Sequence, residues 1–199
     1  MHISEGILSA PVLLTGVALT ATAVGYSLKK MEHKEVPKVA ILSSVFFVAS
    51  LIHVPLGPSS VHLILNGIIG ILLGWSAFSA ILVALALQGV LFQFGGITTL
   101  GVNTFNMAFP AIISFYLFGR GVRSNNNMIS MIFSFACGFL AVLLSAILTA
   151  IALSFTGEAF IKIAKLIIVA HLPIMIIEGI LTAFCIGFLR KVRPEILSI

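Results

Sequence analysis

Residues 61–94 read VHLILNGIIGILLGWSAFSAILVALALQGVLFQF, a segment that is apolar along almost its whole length. About 20 apolar residues cross a bilayer as a helix, so a run of about 34 is too long for one crossing. The sequence Gly74-Trp75-Ser76 interrupts it near the middle. We therefore predict two membrane spans, over 61–74 and 77–94, with Trp75 at a membrane interface.

The composition of the whole chain predicts the same class of protein. Hydrophobic residues make up 60% of the chain and charged residues 9%, whereas soluble domains carry about 25% charged residues. The net charge of +5 comes from Lys and Arg between apolar runs, where they set membrane orientation, so no nucleic-acid partner is expected. We predict an all-α membrane protein with one transmembrane domain over residues 1–199.

Five further apolar runs complete a predicted bundle of seven transmembrane helices. They cover residues 10–28, 40–54, 105–118, 128–155 and 163–189. The second span ends at Pro55, Gly and Pro mark a tight loop over 56–60, and the glycine-rich, polar residues 95–103 predict a loop that folds back against the protein. Pro173 is expected to kink the last span.

The basic residues predict the orientation of this bundle. Nine of the eleven Lys and Arg residues follow spans one, five and seven, and only Lys162 and Lys165 lie elsewhere. In a seven-span chain those three segments share one side, which the positive-inside rule assigns to the cytoplasm. The N-terminus then lies outside and the C-terminus in the cytoplasm, an arrangement that six spans would not give.

The start of the chain, Met1-His2, has the chemistry of a metal chelate. Methionine is retained before a large second residue, and we see no removable signal peptide, so a free amine at Met1 is expected. That amine, the amide nitrogen of His2 and one imidazole nitrogen of His2 can close two fused chelate rings. Planar nitrogen coordination suits Ni(II) or Cu(II) better than Zn(II). The competing interpretation is that His2 is an ordinary residue with no role in metal binding.

Two other histidines are expected near this N-terminus. His53 closes the second predicted span and His62 opens the third, so both lie on the outer face across the tight loop. Either one is a candidate for a fourth nitrogen ligand. His33, in the cytoplasmic lysine segment, is interpreted as a solvated surface residue.

Glu178 lies deep in the last predicted span, seven residues after His171. A carboxylate at this depth is costly unless it is paired, and such residues mark functional interiors. The candidate partners are His171, on the same helix face, and the buried amides Asn66, Gln88, Asn103 and Asn106. A packing hydrogen bond and a role in metal access both remain open.

Missing motifs narrow the function. The chain has no Gly-x-x-x-x-Gly-Lys-Ser/Thr phosphate loop and no His-Glu-x-x-His motif, so neither ATP hydrolysis by this chain nor zinc peptidase activity is expected. A metal enzyme would also need an open coordination position, which a closed plane of four nitrogens does not provide. The alternative to a capture protein is a stand-alone secondary transporter or channel for divalent transition metals, with Glu178 and His171 relaying protons or ions.

Several motifs, in this order, resemble the CbiM/NikM family, the substrate-binding membrane subunits of energy-coupling-factor cobalt and nickel transporters. They are residues 1–9 (MHISEGILS), 53–55 (HVP), 60–63 (SVHL), 66–67 (NG), 94–108 (FGGITTLGVNTFNMA) and 171–179 (HLPIMIIEG). The resemblance covers nearly the whole chain. Residues 57–60 read GPSS where part of the family has Gly-Gly-Thr-Ser, so the chain departs from the family pattern just before His62.

The resemblance implies a capture subunit in which residues 1–9 insert into the substrate pocket. It implies Met1, His2 and His62 as metal ligands, although His62 and His53 are interchangeable at this point. His53, Ser60, His171 and Glu178 are assigned to the pocket or its surroundings, and Asn103 and Asn106 are expected to orient ligands by hydrogen bonds.

The family also implies the cargo, the partners and the location. The transported ion would be Ni(II) or Co(II), with nickel slightly preferred, and no cofactor is bound. The partners would be a transmembrane coupling subunit, two ATPase subunits and a separate small accessory membrane protein. The expected location is the cell (inner) membrane of a prokaryote.

Overall fold

The structure is a computed structural model that describes residues 2–51 and 53–197. This part of the chain is mostly helical. Its α-helices are α1 (Ala10–Lys30), α2 (Val36–Ala49), α3 (Asn66–Leu73), α4 (Ala77–Phe92), α5 (Leu100–Val122), α6 (Asn127–Ser154), α7 (Ile161–Ala170) and α8 (Leu172–Val192). Strands β1 (His53–Leu56) and β2 (Ser59–His62) lie between α2 and α3.

Five helical segments are long and apolar enough to cross a membrane. They are Ala10–Lys30, Asn66–Phe92, Leu100–Val122, Asn127–Ser154 and Glu158–Val192. The predicted class, a helical membrane protein, is therefore confirmed. Helix α2 has 14 residues, which is short for a span of about 20. The segment Asn66–Phe92, which includes both α3 and α4, is long enough to be one span when it is taken as a single unit.

The predicted ends of spans two and three are wrong, because residues 53–62 form a β-hairpin. His53 pairs with His62 and Leu56 with Ser59 in an antiparallel register. Pro55 has no N–H for a helical hydrogen bond, and Gly57 adopts a φ of +58°, which suits a turn. The predicted tight loop is thus the tip of a hairpin, and the two histidines become cross-strand neighbours.

The long apolar run divides where predicted. Helix α3 ends before Gly74, which has a φ of +52°, a conformation that glycine adopts without steric cost. A short 3₁₀ turn, Gly74–Ser76, leads into α4. Both halves of the run pack on α5, but this break lets α3 also contact α6 and α8 while α4 contacts α1 and α2.

The predicted loop over 95–103 is too long, because α5 begins at Leu100 and continues to Val122. Its polar first turn is helical because it packs tightly on α1. The Thr20 hydroxyl donates to the Gly101 carbonyl at 2.6 Å, and a Cβ on Gly101 would lie 2.8 Å from the Val17 backbone. The fifth span, predicted over 105–118, is therefore longer at both ends.

The last predicted span divides into two helices at His171. Helix α7 ends at Ala170 and α8 begins at Leu172. Pro173 lies in the first turn of α8, where proline costs no helical hydrogen bond. The predicted kink coincides with this one-residue interruption at His171, whose dihedrals remain helical. Helix α6 agrees with its prediction to within one residue at each end.

Helix α3 is central because two glycines allow its backbone to approach its neighbours. A Cβ on Gly67 would lie 2.6 Å from Gly138 Cα in α6. Gly70 meets the backbone of Ala111 in α5 in the same way. Such close approach is typical of helix packing in membranes. It fixes the start of α3, and with it the hairpin that carries His53 and His62.

Candidate metal-binding site

The N-terminal segment, residues 2–9, folds into the protein. His2 is 5% exposed and Ile3 is fully buried. The Ile3 amide donates to Asn103 Oδ1 at 2.9 Å, and Asn103 Nδ2 donates to the Ile3 carbonyl at 3.1 Å. The Ser4 amide donates to the Pro58 carbonyl at 3.0 Å. The segment is therefore attached both to the start of α5 and to the tip of the hairpin.

The glycine-rich connection before α5 covers this segment. Glu5 Oε1 accepts a hydrogen bond from the Thr98 amide at 3.2 Å. A Cβ on Gly96 would overlap the Glu5 carboxylate, and Gly96 has a φ of +153°. Both features favour glycine at this position. The prediction of a loop beside the pocket is confirmed for residues 95–99.

His2 and His62 lie together at the inner end of the segment. Their ring centroids are 4.5 Å apart and their planes are tilted by 33°. His62 is 2% exposed, and its position at the end of β2 places it directly beneath the entering N-terminus. The structure thus brings together residues that are 60 positions apart in the sequence.

The hydrogen bonds of His62 define which nitrogen is free. Nδ1 lies 2.8 Å from the Leu63 carbonyl, and because a carbonyl only accepts, Nδ1 is the donor. Nε2 therefore carries the lone pair, and it is buried without a hydrogen-bond partner among the residues that the structure describes. Metal-binding histidines characteristically donate their second ring N–H to a carbonyl in this way.

His53 lies closer to the surface. Its Nδ1 donates to the Leu51 carbonyl at 3.1 Å, and its ring packs edge-on against Phe94 with centroids 4.2 Å apart. It lines a cavity of about 200 Å³ together with His2, Ser4 and Ser60. His53 and Ser60 thus lie at the entrance to the histidine pair, and the predicted convergence of three histidines is observed.

Two other predicted pocket residues are buried nearby. His171 is fully buried at the junction of α7 and α8, where its Nδ1 donates to the Ile167 carbonyl at 2.7 Å. Its Nε2 has no partner within the described ranges. Asn106 is buried one turn beyond Asn103 in α5, and its amide nitrogen likewise has no partner in the part of the chain described.

Glu178 has partners that differ from every predicted one. Its Oε1 accepts hydrogen bonds from the main-chain amides of Ile64 and Leu65, the second at 2.8 Å. Neither His171 nor the four candidate amides are its partners. Glu178 therefore holds the backbone just beyond His62, where Leu65 adopts a left-handed conformation with a φ of +55°.

Gln88 is a site residue that the sequence did not identify. It is fully buried in α4, and its Oε1 lies 2.9 Å from His2 Nε2. Its amide nitrogen donates to the Phe47 carbonyl and to the Ser50 hydroxyl. The sequence shows Gln88 as a lone amide side chain in an apolar run. This pattern predicted only that Gln88 could be a partner of Glu178.

The electrostatic environment keeps both inner histidines neutral. Burial lowers the pKa of His2 from 6.5 to about 3. Burial also lowers the pKa of His62 well below its ordinary value. Both residues lie outside the membrane-spanning helices. A neutral imidazole is the form that binds a metal, so the site holds two imidazoles ready to donate a lone pair.

Side chains alone do not complete a metal site here. Within residues 2–51 and 53–197, no group of three or more His, Cys, Asp and Glu side chains is placed to hold a metal ion. Met1, a predicted ligand, lies outside the described residues. A metal site built on His2 and His62 would therefore need additional ligands of another kind.

The sequence itself assigns the chain to a family. Residues 2–196 match a family model described as "CbiM: Cobalt uptake substrate-specific transmembrane region". The chain belongs to the CbiM family. CbiM is a metal-transport family and not an enzyme family, which agrees with the expectation drawn from the missing motifs.

Individual relatives of this CbiM protein carry similar descriptions. A putative metal transport protein of Haemophilus influenzae is 38% identical, covering all of this chain and 97% of the relative. A putative fused nickel transport protein, NikMN, of Archaeoglobus fulgidus is 26% identical over all of this chain and 68% of its own length.

Solved structures also resemble this CbiM protein. A crystal structure of a transition metal transporter superposes with a TM-score of 0.80 at 29% identity, covering 96% of this chain and 93% of the other. A truncated transition metal transporter gives a TM-score of 0.72 at 28% identity, covering 98% and 99%. The shared fold and sequence support the same class of function.

Proposed function

We propose that this CbiM protein is the substrate-capture subunit of an ATP-driven energy-coupling-factor importer for Ni(II) or Co(II). The observation that carries the proposal is the buried pair formed by His2 and His62, in which His62 Nε2 has no other partner among the described residues. The ion is the transported cargo. The chain would bind it without performing a reaction and without a resident cofactor.

The proposed ligands are the Met1 amine, the main-chain and imidazole nitrogens of His2, and His62 Nε2. His62 is preferred to His53 because it is buried against the His2 ring. His53, in contrast, packs on Phe94 at the cavity entrance. His53, Ser60, Asn106 and His171 would surround the site, while Asn103 would hold the N-terminal segment in place.

The slight preference for nickel follows from the donor set. Main-chain amide nitrogen, amine and imidazole lie nearly in one plane when they chelate one ion, and planar nitrogen coordination favours Ni(II). Cobalt remains a cargo under this proposal because the relatives of the family include cobalt transport proteins.

The proposed topology has seven spans in a single domain, with the N-terminus outside and the C-terminus in the cytoplasm. Helices α1, α2, α4, α5 and α6 would each cross once, α3, which has only eight residues, would cross together with the chain that precedes it, and α7 with α8 would form the last crossing. The basic residues at the ends of α1, α5 and α8 support this orientation. The location would be the cell (inner) membrane of a prokaryote.

The proposed partners are a transmembrane coupling subunit, two ATPase subunits and a small accessory membrane protein. Capture would occur outside, and the ATPases would then drive a tilt of the bundle through the coupling subunit to release the ion inside. Metal uptake should therefore disappear in cells that lack the ATPase subunits. Uptake that persisted there would favour a stand-alone transporter.

The terminal-amine ligand has a direct test. The purified protein with a free Met1 amine should form a yellow, diamagnetic Ni(II) complex. Five Gly/Ser residues added before Met1 should abolish this complex, because the Met1 nitrogen becomes an amide and the new amine is too far from His2 to chelate with it, whereas the same residues added after Ile199 should leave it intact. The variant His62→Ala should lose the complex and His53→Ala should retain it. Equal binding by the N-terminally extended protein would overturn the proposal.

A further inference from the structure

We propose that Gln88 is a positioning residue that fixes the tautomer of His2, placing the proton on Nε2 and leaving Nδ1 free for metal. The metal-binding part of this inference rests on the proposed function. The tautomer itself is a property of the metal-free protein. The inference gives a specific task to a buried polar side chain that lies in the fourth helix, 86 residues from His2.

The orientation of the Gln88 amide is determined by its other neighbours. Its nitrogen lies 2.9 Å from the Phe47 carbonyl, which only accepts hydrogen bonds. The same nitrogen reaches the Ser50 hydroxyl, whose own proton is directed to the Phe46 carbonyl at 2.7 Å. Both contacts require the amide nitrogen on this side, so the amide oxygen must face His2.

The amide oxygen then selects the proton position on His2. Gln88 Oε1 accepts only, and His2 Nε2 lies 2.9 Å from it, so Nε2 must carry the proton. Nδ1 is left with the lone pair. Nδ1 is also the ring nitrogen that can form a chelate ring with the residue's own amide nitrogen through Cα, Cβ and Cγ, whereas Nε2 points away from the main chain.

The two inner histidines are therefore held in opposite tautomers. The Leu63 carbonyl holds the proton of His62 on Nδ1 and leaves Nε2 free, while Gln88 holds the proton of His2 on Nε2. Fixing ring orientation and tautomer through the second nitrogen is a general way to raise metal affinity, and its loss typically costs about 10–100-fold. Gln88 would have this effect without contacting the ion.

The tautomer can be measured without metal. Protein labelled with ¹⁵N-histidine, purified in detergent and treated with chelator, should show His2 protonated at Nε2, assigned by comparison with His2→Gln. The variant Gln88→Met has a similar length but no amide acceptor, and it should lose this fixed state. Gln88→Glu with a protonated carboxyl should keep it, because the hydroxyl can donate to the Phe47 carbonyl while the other oxygen accepts from His2 Nε2. An Nε2 proton unchanged in Gln88→Met would overturn the inference, as would an Nδ1 proton in the unmodified protein.

Nickel binding supplies the second measurement. Gln88→Met should bind Ni(II) about 10–100-fold more weakly than the unmodified protein, while Gln88→Glu should retain most of the affinity. Ser79→Ala is the matched control, since it removes a buried hydrogen bond of the same helix to Ser27, away from the site. Folding of each variant is checked by thermal unfolding. Full affinity in a folded Gln88→Met would overturn the inference.

The two proposals fail in different ways. Nickel binding that is indifferent to the five-residue N-terminal extension would contradict the proposed ligand set, while the ¹⁵N spectra would still report whether Gln88 fixes the His2 tautomer. Conversely, a yellow complex that requires the free amine but ignores Gln88→Met would preserve the proposed function and reject this role for Gln88.

Discussion

Asn103 is the residue that ties the N-terminal segment to the helical bundle. Its side chain makes two hydrogen bonds to the main chain of Ile3. The pairing resembles one step of a β-ladder, with an amide side chain in place of a second strand. Because Ile3 directly follows His2, these bonds fix the depth at which the proposed metal ligands enter the protein.

Asn103→Ala should weaken Ni(II) binding by about 10–100-fold, since buried main-chain groups left without partners cost about 1–3 kcal/mol. Isothermal titration of purified protein gives the affinity. Ser114→Ala is the matched control, because Ser114 is a buried polar residue of the same helix that lies about three turns from Asn103. An equal loss in both variants would mean that general destabilisation of α5 explains the effect.

At the residue scale, His2, His53 and His62 could be identified from the sequence because histidine is a common metal ligand. The short segment between His53 and His62 also keeps these two residues close. It did not identify Gln88 as a partner of His2, or the Ile64 and Leu65 amides as partners of Glu178. Those contacts join positions that are 86 and more than 110 residues apart. Only the packing of helices decides which distant groups meet.

At the scale of elements, residues 2–9 form a separate piece of chain whose docking depends on neutral His2. Burial lowers the pKa of docked His2 to about 3, from 6.5 when it is free. Released His2 therefore binds a proton more readily than docked His2 at any pH between these values. Burial of His62 acts in the same direction.

In metal-free protein, docking should be complete above pH 6.5 and should weaken progressively as the pH falls toward 3, by up to about tenfold per pH unit for His2. The protection factor of the Ile3 amide in hydrogen exchange measures docking, since this amide donates to Asn103. His2→Gln should remove most of the pH dependence. A protection factor that stays constant from pH 7 to pH 4 would contradict this prediction.

The link between α8 and the hairpin is a second feature at this scale. Glu178 accepts two main-chain amides through one oxygen, and a glutamine oxygen can accept both. Glu178→Gln should therefore keep the thermal stability and the Ni(II) affinity. Glu178→Leu should lower the melting temperature, because two buried amides lose their acceptor at about 1–3 kcal/mol each.

The variants Glu178→Gln and Glu178→Leu also distinguish the proposed capture subunit from the alternative, a stand-alone transporter. A proton relay through Glu178 requires an ionisable group, so Glu178→Gln would stop uptake in cells if the chain were a stand-alone transporter. Retained uptake in Glu178→Gln, with loss in Glu178→Leu, is the result expected for a purely positioning carboxylate.

The elements were predicted well where an apolar run was long and poorly where a few residues decided the structure. Helix α6 was placed within one residue because nothing interrupts it. The β-hairpin was missed because Val54, Leu56 and Val61 are as apolar as the helices around them, and Pro55, Gly57 and Pro58 indicated a turn without indicating strands. The first turn of α5 was missed because its polar residues face protein instead of lipid.

At the scale of the whole molecule, the distribution of charge predicts which side faces the cytoplasm. Glu158, exposed between α6 and α7, and Asn125, exposed between α5 and α6, should lie on opposite sides of the membrane. In a background with Cys137 and Cys185 replaced by alanine, Glu158→Cys should react with a membrane-impermeant thiol reagent in intact cells. Asn125→Cys should react only after the cells are opened. The reverse pattern would invert the proposed topology.

The burial of His2 and Ile3 has a consequence for ion leakage. His2 is 5% exposed and Ile3 is fully buried, so the N-terminal segment itself fills space inside the protein. Under the proposed function, the same segment would bind the transported ion and exclude water, protons and sodium ions from that space. Selectivity and electrical insulation would thus depend on the same few amino acids.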